Sequence, residues 1–226
     1  MSFETDLLQR RQELVLRRVL QAEVNRAGQL PRNLDAWGAE QEDLGGHHSR
    51  LRAALEAAGL RCYRFLRVAS DYYSTTLDER RACLQAASVE HLCKTITVEN
   101  TAWSPELASP SFPRHMLVLV QYSARFDEAK LKAHTYALNC GGIGKKRICW
   151  RLAPAEESER LTGYRSGGVT IVNTRQEMTI VISHKLLALS PAVVWMGAGD
   201  VDLKLCLRVA DLRVLHPGLQ VVDVTT

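Results

Sequence analysis

The amino-acid sequence predicts an α+β fold with a mixed or antiparallel β-sheet and helices to one side. Helical patterns dominate the first part of the chain, whereas short strand patterns follow one another closely in the second half. Closely spaced strands with few intervening helices favour such a sheet over a doubly wound one. Of the 226 residues, 46 % are hydrophobic and 24 % charged, which is ordinary globular usage and excludes a disordered or collagen-like chain.

The N-terminal part is predicted to be a long amphipathic helix followed by a connector. Apolar residues recur at helical spacing over 5–27, and Pro31 lies beyond the end of that pattern. The segment 29–48 contains several glycines and lacks a sustained period, which is typical of a connector. We therefore divide the chain into an N-terminal helix with its connector, 1–48, and a main domain, 49–226.

Three helices are predicted in the main domain. Ser49 would cap a short helix over 50–58. The segment Thr76 to Glu79 has the pattern of a capping box, in which a hydroxyl and a carboxylate satisfy each other's free main-chain amides, and it predicts a helix to about Ala87. The third helix is predicted over 127–138.

Strand patterns occupy the rest of the main domain. Alternating or continuous apolar runs bounded by turn residues predict them. The predicted strands span 62–68, 95–98, 116–121, 147–151, 169–172, 179–182, 193–196 and 201–207. In the last of them, Leu203, Leu205 and Leu207 alternate with Lys204 and Cys206, which predicts one apolar and one polar face.

The cysteine and histidine patterns exclude several classes of site, whereas the net charge excludes none. The net charge of +4 permits contact with a polyanion without demanding it. The six cysteines form no C-x-x-C pair and none has a histidine at zinc-finger spacing, so we expect reduced, mostly buried thiols, no metal site and no cofactor. The histidines show no serine and aspartate pattern that would indicate a hydrolase triad.

We expect a cytoplasmic protein without a membrane span. The longest apolar stretch, 186–199, is interrupted by Ser190 and Pro191 and is too short to cross a bilayer as a helix. Glu4 and Asp6 stand where a signal peptide would carry basic residues.

Lys94 is the first candidate for chemistry. It precedes Ile96 and Val98 with strand periodicity, so it shares their face and should point inward at the mouth of the strand. An ammonium group at the rim of an apolar cavity can hold a phosphate or a carboxylate. The plainer alternative is a lysine that extends to water or protects a strand end.

Two glycine segments are the second candidate. In the segment Gly163 to Gly168, paired glycines can adopt positive φ and aim successive amides at an anion or an oxyanion. The segment Gly197 to Gly199 has the same character. Both also suit tight hairpin turns, and neither pattern is specific alone.

The order of these motifs resembles one family. A capping-box helix precedes Cys93-Lys94-Thr95-Ile96; the segments 161–169 and 194–199 and the triplet Ala210-Asp211-Leu212 follow. This resembles the YbaK family of aminoacyl-tRNA editing domains, also associated with prolyl-tRNA synthetases, over roughly residues 49–215. The resemblance implies an irregular barrel-like sheet within the α+β fold and a pocket that hydrolyses mischarged aminoacyl-tRNA in trans.

The resemblance also implies the site residues. Lys94 matches the functional lysine of the family, expected to anchor the terminal nucleotide or the ester. Gly167 and Gly168 match the loop that holds the aminoacyl group, and the second glycine pair falls on Ala198 and Gly199. The full predicted substrate-binding set comprises Gly163, Tyr164, Gly167, Gly168, Val169, Thr170, Ala198 and Gly199.

Two positions depart from the family pattern. The family loop usually reads Gly-x-x-x-Pro, whereas Ile171 stands at the proline position here, so the geometry for the substrate is expected to differ. Asp200 and Asp202 lie in a turn that is often basic in relatives, which should weaken a phosphate contact there.

These observations favour two hypotheses. The first is a trans-acting deacylase for mischarged tRNA, with Cys-tRNA(Pro) favoured over Ala-tRNA(Pro), in which a water molecule or the thiol of a cysteinyl substrate attacks the ester. The second is a noncatalytic module that binds a tRNA end or a synthetase complex. In both, the partner is the acceptor end of aminoacyl-tRNA, and the N-terminal helix could dock onto prolyl-tRNA synthetase or a multi-synthetase complex.

Overall fold

A computed structural model describes residues 44–140 and 142–226. The α-helices of this part are α1 His48–Ala57, α2 Leu77–Leu84, α3 Glu128–Leu138, α4 Ala155–Thr162 and α5 Asp211–Leu215. The strands are β1 Tyr63–Arg67, β2 Cys93–Asn100, β3 His115–Gln121, β4 Trp150–Leu152, β5 Thr179–Ser183, β6 Val193–Ala198, β7 Asp200–Arg208 and β8 Gln220–Val222. The predicted α+β class is confirmed.

The strands form two sheets. In the five-stranded sheet, with the order β4-β2-β3-β5-β8, β2 pairs antiparallel with β3 and β4, and β5 pairs parallel with β3 and β8. In the three-stranded sheet, with the order β1-β7-β6, both pairings are antiparallel. The larger sheet is therefore mixed, as the sequence predicts.

The sheets do not close into the barrel that the resemblance implied. Within the described chain, an isolated parallel bridge between Leu92 and Trp195 connects the start of β2 with β6. No continuous ladder joins the two sheets in this part of the chain, because their strand orders are separate. The bridge nevertheless brings the first residues of β2 next to the middle of β6, and this contact positions the site described below.

Strand β3 shows how the core is built. Its residues from Met116 to Gln121 are all buried. Leu117 and Leu119 face one apolar cluster, shared with β5, β6 and β7, while Met116 and Val118 face a second cluster beneath α3. A strand covered on both faces reads as a continuous apolar run, which is the pattern of this segment.

Several predicted boundaries are wrong for identifiable reasons. Helix α1 begins at His48 rather than after Ser49, because a turn closed by the His48 N–H on the Gly45 carbonyl, 3.1 Å, already starts it. Helix α2 stops at Leu84, where Gln85 adopts φ 54°. Helices α4 and α5 and strand β8 are absent from the sequence prediction, although the motif containing Asp211 begins α5.

The predicted strand over 169–172 is an irregular segment. It is apolar and largely buried, yet side chains rather than a neighbouring strand contact two of its carbonyls. The Tyr164 hydroxyl contacts the Val172 carbonyl at 2.8 Å, and the His216 Nε2 lies 2.8 Å from the Ile171 carbonyl. Burial without a ladder explains why its apolar run imitates a strand.

Three further predictions concern the N-terminal segment, the cysteines and membrane spans. The predicted helix over 5–27 and most of the connector lie outside the described residues. All six cysteines are reduced, as expected, but only Cys93 and Cys206 are buried. The expectation of mostly buried thiols is therefore wrong, and Cys83 and Cys140 are exposed. Among the described helices, none combines the length and apolarity needed to cross a bilayer.

Removal of the α2 capping box should destabilise the domain. The Glu79 N–H donates to the Thr76 hydroxyl at 3.3 Å, and the Thr76 N–H donates to the Glu79 carboxylate at 2.7 Å. We expect Thr76→Ala to lower the free energy of unfolding by about 1 kcal/mol in urea titrations. The exposed Ser70→Ala is the control and should change it little; equal effects would contradict the role of the cap.

Candidate functional site

An open cavity of about 450 Å³ lies where β2, β6 and the irregular segment after α4 meet. Its walls come from five separate parts of the chain. The lining residues are Tyr73, Cys93, Lys94, Thr95, Ile96, Tyr122, Ser166, Gly167, Val169, Gly197 and Val201. The cavity therefore brings Lys94 together with both glycine segments.

Lys94 lies on the β2 wall and is partly buried. Its position on the strand follows from the antiparallel pairing with Val120 of β3. The ammonium group is 5.7 Å from the centre of the Tyr122 ring, which offers a favourable interaction with the cation. The amine is thus held at the wall of the cavity.

The second wall is a β-turn over residues 165–168. The Gly168 N–H donates to the Arg165 carbonyl at 3.0 Å and closes the turn. Gly167 occupies the third position with φ 86°, a conformation that side chains rarely tolerate. In the described chain, the N–H groups of Gly167 and Val169 form no hydrogen bond, and both residues line the cavity.

The turn is held against the end of β6 by contact between two main chains. The Gly199 N–H donates to the Gly168 carbonyl at 2.8 Å. A Cβ atom on Gly168 would lie 2.2 Å from the Gly199 carbonyl oxygen, and one on Gly197 would lie 2.7 Å from the Val169 carbonyl oxygen. Glycine is therefore required at both positions by this close approach, and the Gly168 amide is used within the fold.

The other predicted site residues lie outside the cavity lining. Gly163 ends α4 with φ 79°. Tyr164, Thr170 and Ala198 are buried, at 1 %, 0 % and 0 % exposure, and do not line the cavity. Of the predicted set, the structure places Lys94, Gly167 and Val169 in the cavity wall.

Sequence reasoning missed three side chains near this site. Tyr73 and Tyr122 line the cavity, and Lys204 lies behind Tyr73 with only 4 % exposure. The Lys204 ammonium is 4.5 Å from the centre of the Tyr73 ring and 5.0 Å from that of Tyr72. For Lys204, the sequence signal was available only as a lysine between two leucines of β7.

Burial changes the acid–base properties of this group. Desolvation lowers the pKa of Lys204 from 10.5 to about 8, against the opposing effect of Asp202 and with a smaller lowering contribution from Arg80. Burial also raises the pKa values of Tyr73 and Tyr122. The tyrosines therefore stay neutral, and Lys204 titrates near physiological pH.

The cavity contains no activated protein nucleophile among its lining residues. Cys93 is 3 % exposed, and burial raises the pKa of its thiol far above the usual range. Its sulfur lies 3.7 Å from the His91 carbonyl, a weak hydrogen bond that also favours the protonated form. Within the described residues, no cluster of three potential metal ligands is present.

A family model described as the aminoacyl-tRNA editing domain matches residues 83–215. The match covers more than half of the chain and includes every strand that lines the cavity. The chain belongs to this family.

Solved structures have the same fold as this editing domain. One is a proposed trans-editing enzyme for prolyl-tRNA synthetase, with a TM-score of 0.62, 22 % identity and coverage of 81 % of this chain and 99 % of that one. A scaffold protein from computational epitope grafting has a TM-score of 0.62 and 20 % identity, and the match covers 81 % of this chain and 99 % of that one. A hypothetical protein has a TM-score of 0.59 and 24 % identity, with coverage of 78 % of this chain and 99 % of that one. A search of curated proteins finds no match.

The acidic turn of the editing domain binds its own chain. Arg67 contacts the carboxylate of Asp202 at 2.5 Å and that of Asp200 at 3.4 Å. The His47 N–H donates to Asp200 at 3.1 Å, and its ring packs against Gly199. Asp202 is thus engaged by Arg67 at the end of β1, and Asp200 by Arg67 and by the segment that leads into α1. That this turn makes a poor phosphate site stays a prediction.

Closing the gap between the glycine segments should damage the editing domain. In Gly168→Ala the added Cβ would meet the Gly199 carbonyl, so the main chains must separate. We expect the free energy of unfolding to fall by about 3 kcal/mol in denaturant titrations. Gly218→Ala, whose Cβ meets nothing within 4 Å, is the matched control; a similarly mild effect at Gly168 would refute the close contact.

The buried amine should be visible in the pH dependence of stability. Because the pKa of Lys204 is about 8 when folded and 10.5 ordinarily, the unfolded chain binds more protons in this window and stability rises with pH. Between about pH 8 and about pH 10, the free energy of unfolding of the native protein should rise by about 2 kcal/mol more than that of Lys204→Met. Parallel curves for both proteins in urea titrations would disprove the shift. The tyrosines act only at higher pH.

Proposed function

We propose that this chain is a trans-acting aminoacyl-tRNA deacylase that hydrolyses the ester of a mischarged tRNA. One observation carries the proposal: a cavity in an aminoacyl-tRNA editing domain is lined by the Lys94 cation and by Gly167 and Val169, whose N–H groups form no hydrogen bond in the described chain. An aminoacyl ester is already activated, so hydrolysis requires orientation and charge stabilisation more than a strong nucleophile.

The two walls of the cavity have different roles in this proposal. Lys94 binds the terminal nucleotide or the ester region through its positive charge. The N–H groups of Gly167 and Val169 donate to the oxygen that becomes negative in the tetrahedral intermediate. The amide of Gly168 has no such role, because it closes the turn.

The nucleophile comes from outside the protein. The Cys93 thiol is buried and protonated, and a serine-histidine-aspartate arrangement is absent from the residues that line the cavity. We infer that a water molecule attacks the ester carbonyl, or the thiol of the substrate when the amino acid is cysteine. In the second case the sulfur displaces the ribose oxygen, which leaves with a proton, and a thiolactone forms.

We propose Cys-tRNA(Pro) as the favoured substrate and Ala-tRNA(Pro) as the next. The support is the resemblance of the segments 162–164 and 167–168 to the YbaK branch of the family. A pocket separates amino acids that differ by one methylene by only about 1–3 kcal/mol, so rejection of larger groups must come from the walls. Prolyl-tRNA synthetase is the partner that this substrate implies.

Replacement of Lys94 should abolish hydrolysis without unfolding the domain. We expect Lys94→Ala to lower the rate of deacylation by at least about 100-fold, because a cation at the reacting ester is lost. The melting temperature should stay unchanged, since Lys94 is partly exposed. Lys132→Ala on α3, which does not line the cavity, is the control; full activity of Lys94→Ala would rule out the role.

The substrates for this assay are tRNA(Pro) carrying cysteine, alanine or proline. Turnover of the cysteinyl and alanyl esters, with the prolyl ester spared, is expected of the deacylase. Retention of the tRNA on the protein without turnover of any ester would instead identify the noncatalytic binding module.

A further inference from the structure

A second lysine lies under the cavity and is connected to its wall. Lys204 donates one hydrogen bond to the Val201 carbonyl at 2.6 Å and another to the Tyr73 hydroxyl at 2.9 Å. The Tyr73 hydroxyl in turn donates to the Gly167 carbonyl at 2.7 Å. A continuous chain of hydrogen bonds thus runs from the core to the 165–168 turn.

The tyrosine in this chain is itself held in place. The Arg80 guanidinium donates to the Tyr73 carbonyl at 2.6 Å and to the Thr75 carbonyl at 3.0 Å. It also lies 5.3 Å from the centre of the Tyr73 ring and 5.8 Å from that of Tyr122. Arg80 therefore packs on the ring of Tyr73, while the hydroxyl of Tyr73 makes the contacts with Lys204 and Gly167.

Burial of a lysine in the core carries a large desolvation cost. Lys204 is 4 % exposed and lies between the apolar residues Leu203 and Leu205 of β7. A methionine would fill similar space without the desolvation of an ammonium group. The polar contact with Tyr73 is what the lysine adds, and that contact ends on the wall of the cavity.

We propose that Lys204 is a positioning residue that, through Tyr73, fixes Gly167 and thereby sets the amino-acid selectivity of the site. This rests on the proposed deacylase function. Gly167 of the 165–168 turn lines the same cavity as Lys94, so the position of the turn sets the room for the aminoacyl group. Displacement of such a wall by about 1 Å can change rates by up to about 100-fold.

The test compares Lys204→Met, Tyr73→Phe and the double variant. Tyr73→Phe keeps the ring and removes only the hydroxyl, so it tests the chain of contacts even where Lys204→Met folds poorly. Lys132→Met on α3 is the matched control. The two readouts are hydrogen exchange of the Gly168 amide, which closes the turn, and relative kcat/KM values for cysteinyl, alanyl and prolyl esters on one tRNA.

We expect both single variants to accelerate exchange of the Gly168 amide by about tenfold, because the turn loses its anchor. The spread of kcat/KM, meaning the ratio of the highest to the lowest value among the three esters, should narrow by about tenfold. The double variant should have the same effect as each single variant, because both substitutions break the same chain of hydrogen bonds. An unfolded fraction lowers all three values equally and leaves the spread intact.

Other results would overturn the proposal. Unchanged exchange at Gly168 refutes the positioning role whatever the activity. Faster exchange with an equal loss on all three esters refutes the role in selectivity, and additive effects in the double variant refute the pathway through Tyr73. If the native protein hydrolyses none of the esters while the variants accelerate exchange, the deacylase function fails and the anchoring of the turn stands.

Discussion

The site depends on the close contact of two main chains at Gly168 and Gly199. Their hydrogen bond and the absence of side chains let the 165–168 turn lie directly on the end of β6. That placement brings Gly167 into the same cavity as the first residues of β2, which are held beside β6 by the bridge between Leu92 and Trp195. Without the contact, Lys94 would face no second wall.

This arrangement divides the glycines between two tasks. Gly168 and Gly197 are needed because there is no space for a Cβ atom, whereas Gly167 is needed because its φ is positive. Only the last of these tasks leaves an amide available for chemistry. A glycine motif that looks uniform in sequence is thus mostly scaffold, with a small functional part at the exposed corner of the turn.

The sequence predicted those features that depend on neighbours along the chain. The capping box at Thr76 and the apolar run of β3 are local patterns, and both appear as expected. Lys204 shows the limit: alternation along β7 places it on a polar face, but Tyr73, 131 residues away, covers that face. The segment 169–172 fails as a strand for a related reason, since the side chains of Tyr164 and His216 contact two of its carbonyls.

The distribution of the cysteines has a practical consequence for spectroscopy. Cys93 forms part of the cavity wall but is buried and protonated, while Cys83 and Cys140 are exposed. Thiol-directed labels should therefore attach outside the cavity before they reach its wall. Fluorophores or spin labels can thus be introduced on the native chain to follow the binding of large ligands, with no engineered attachment point.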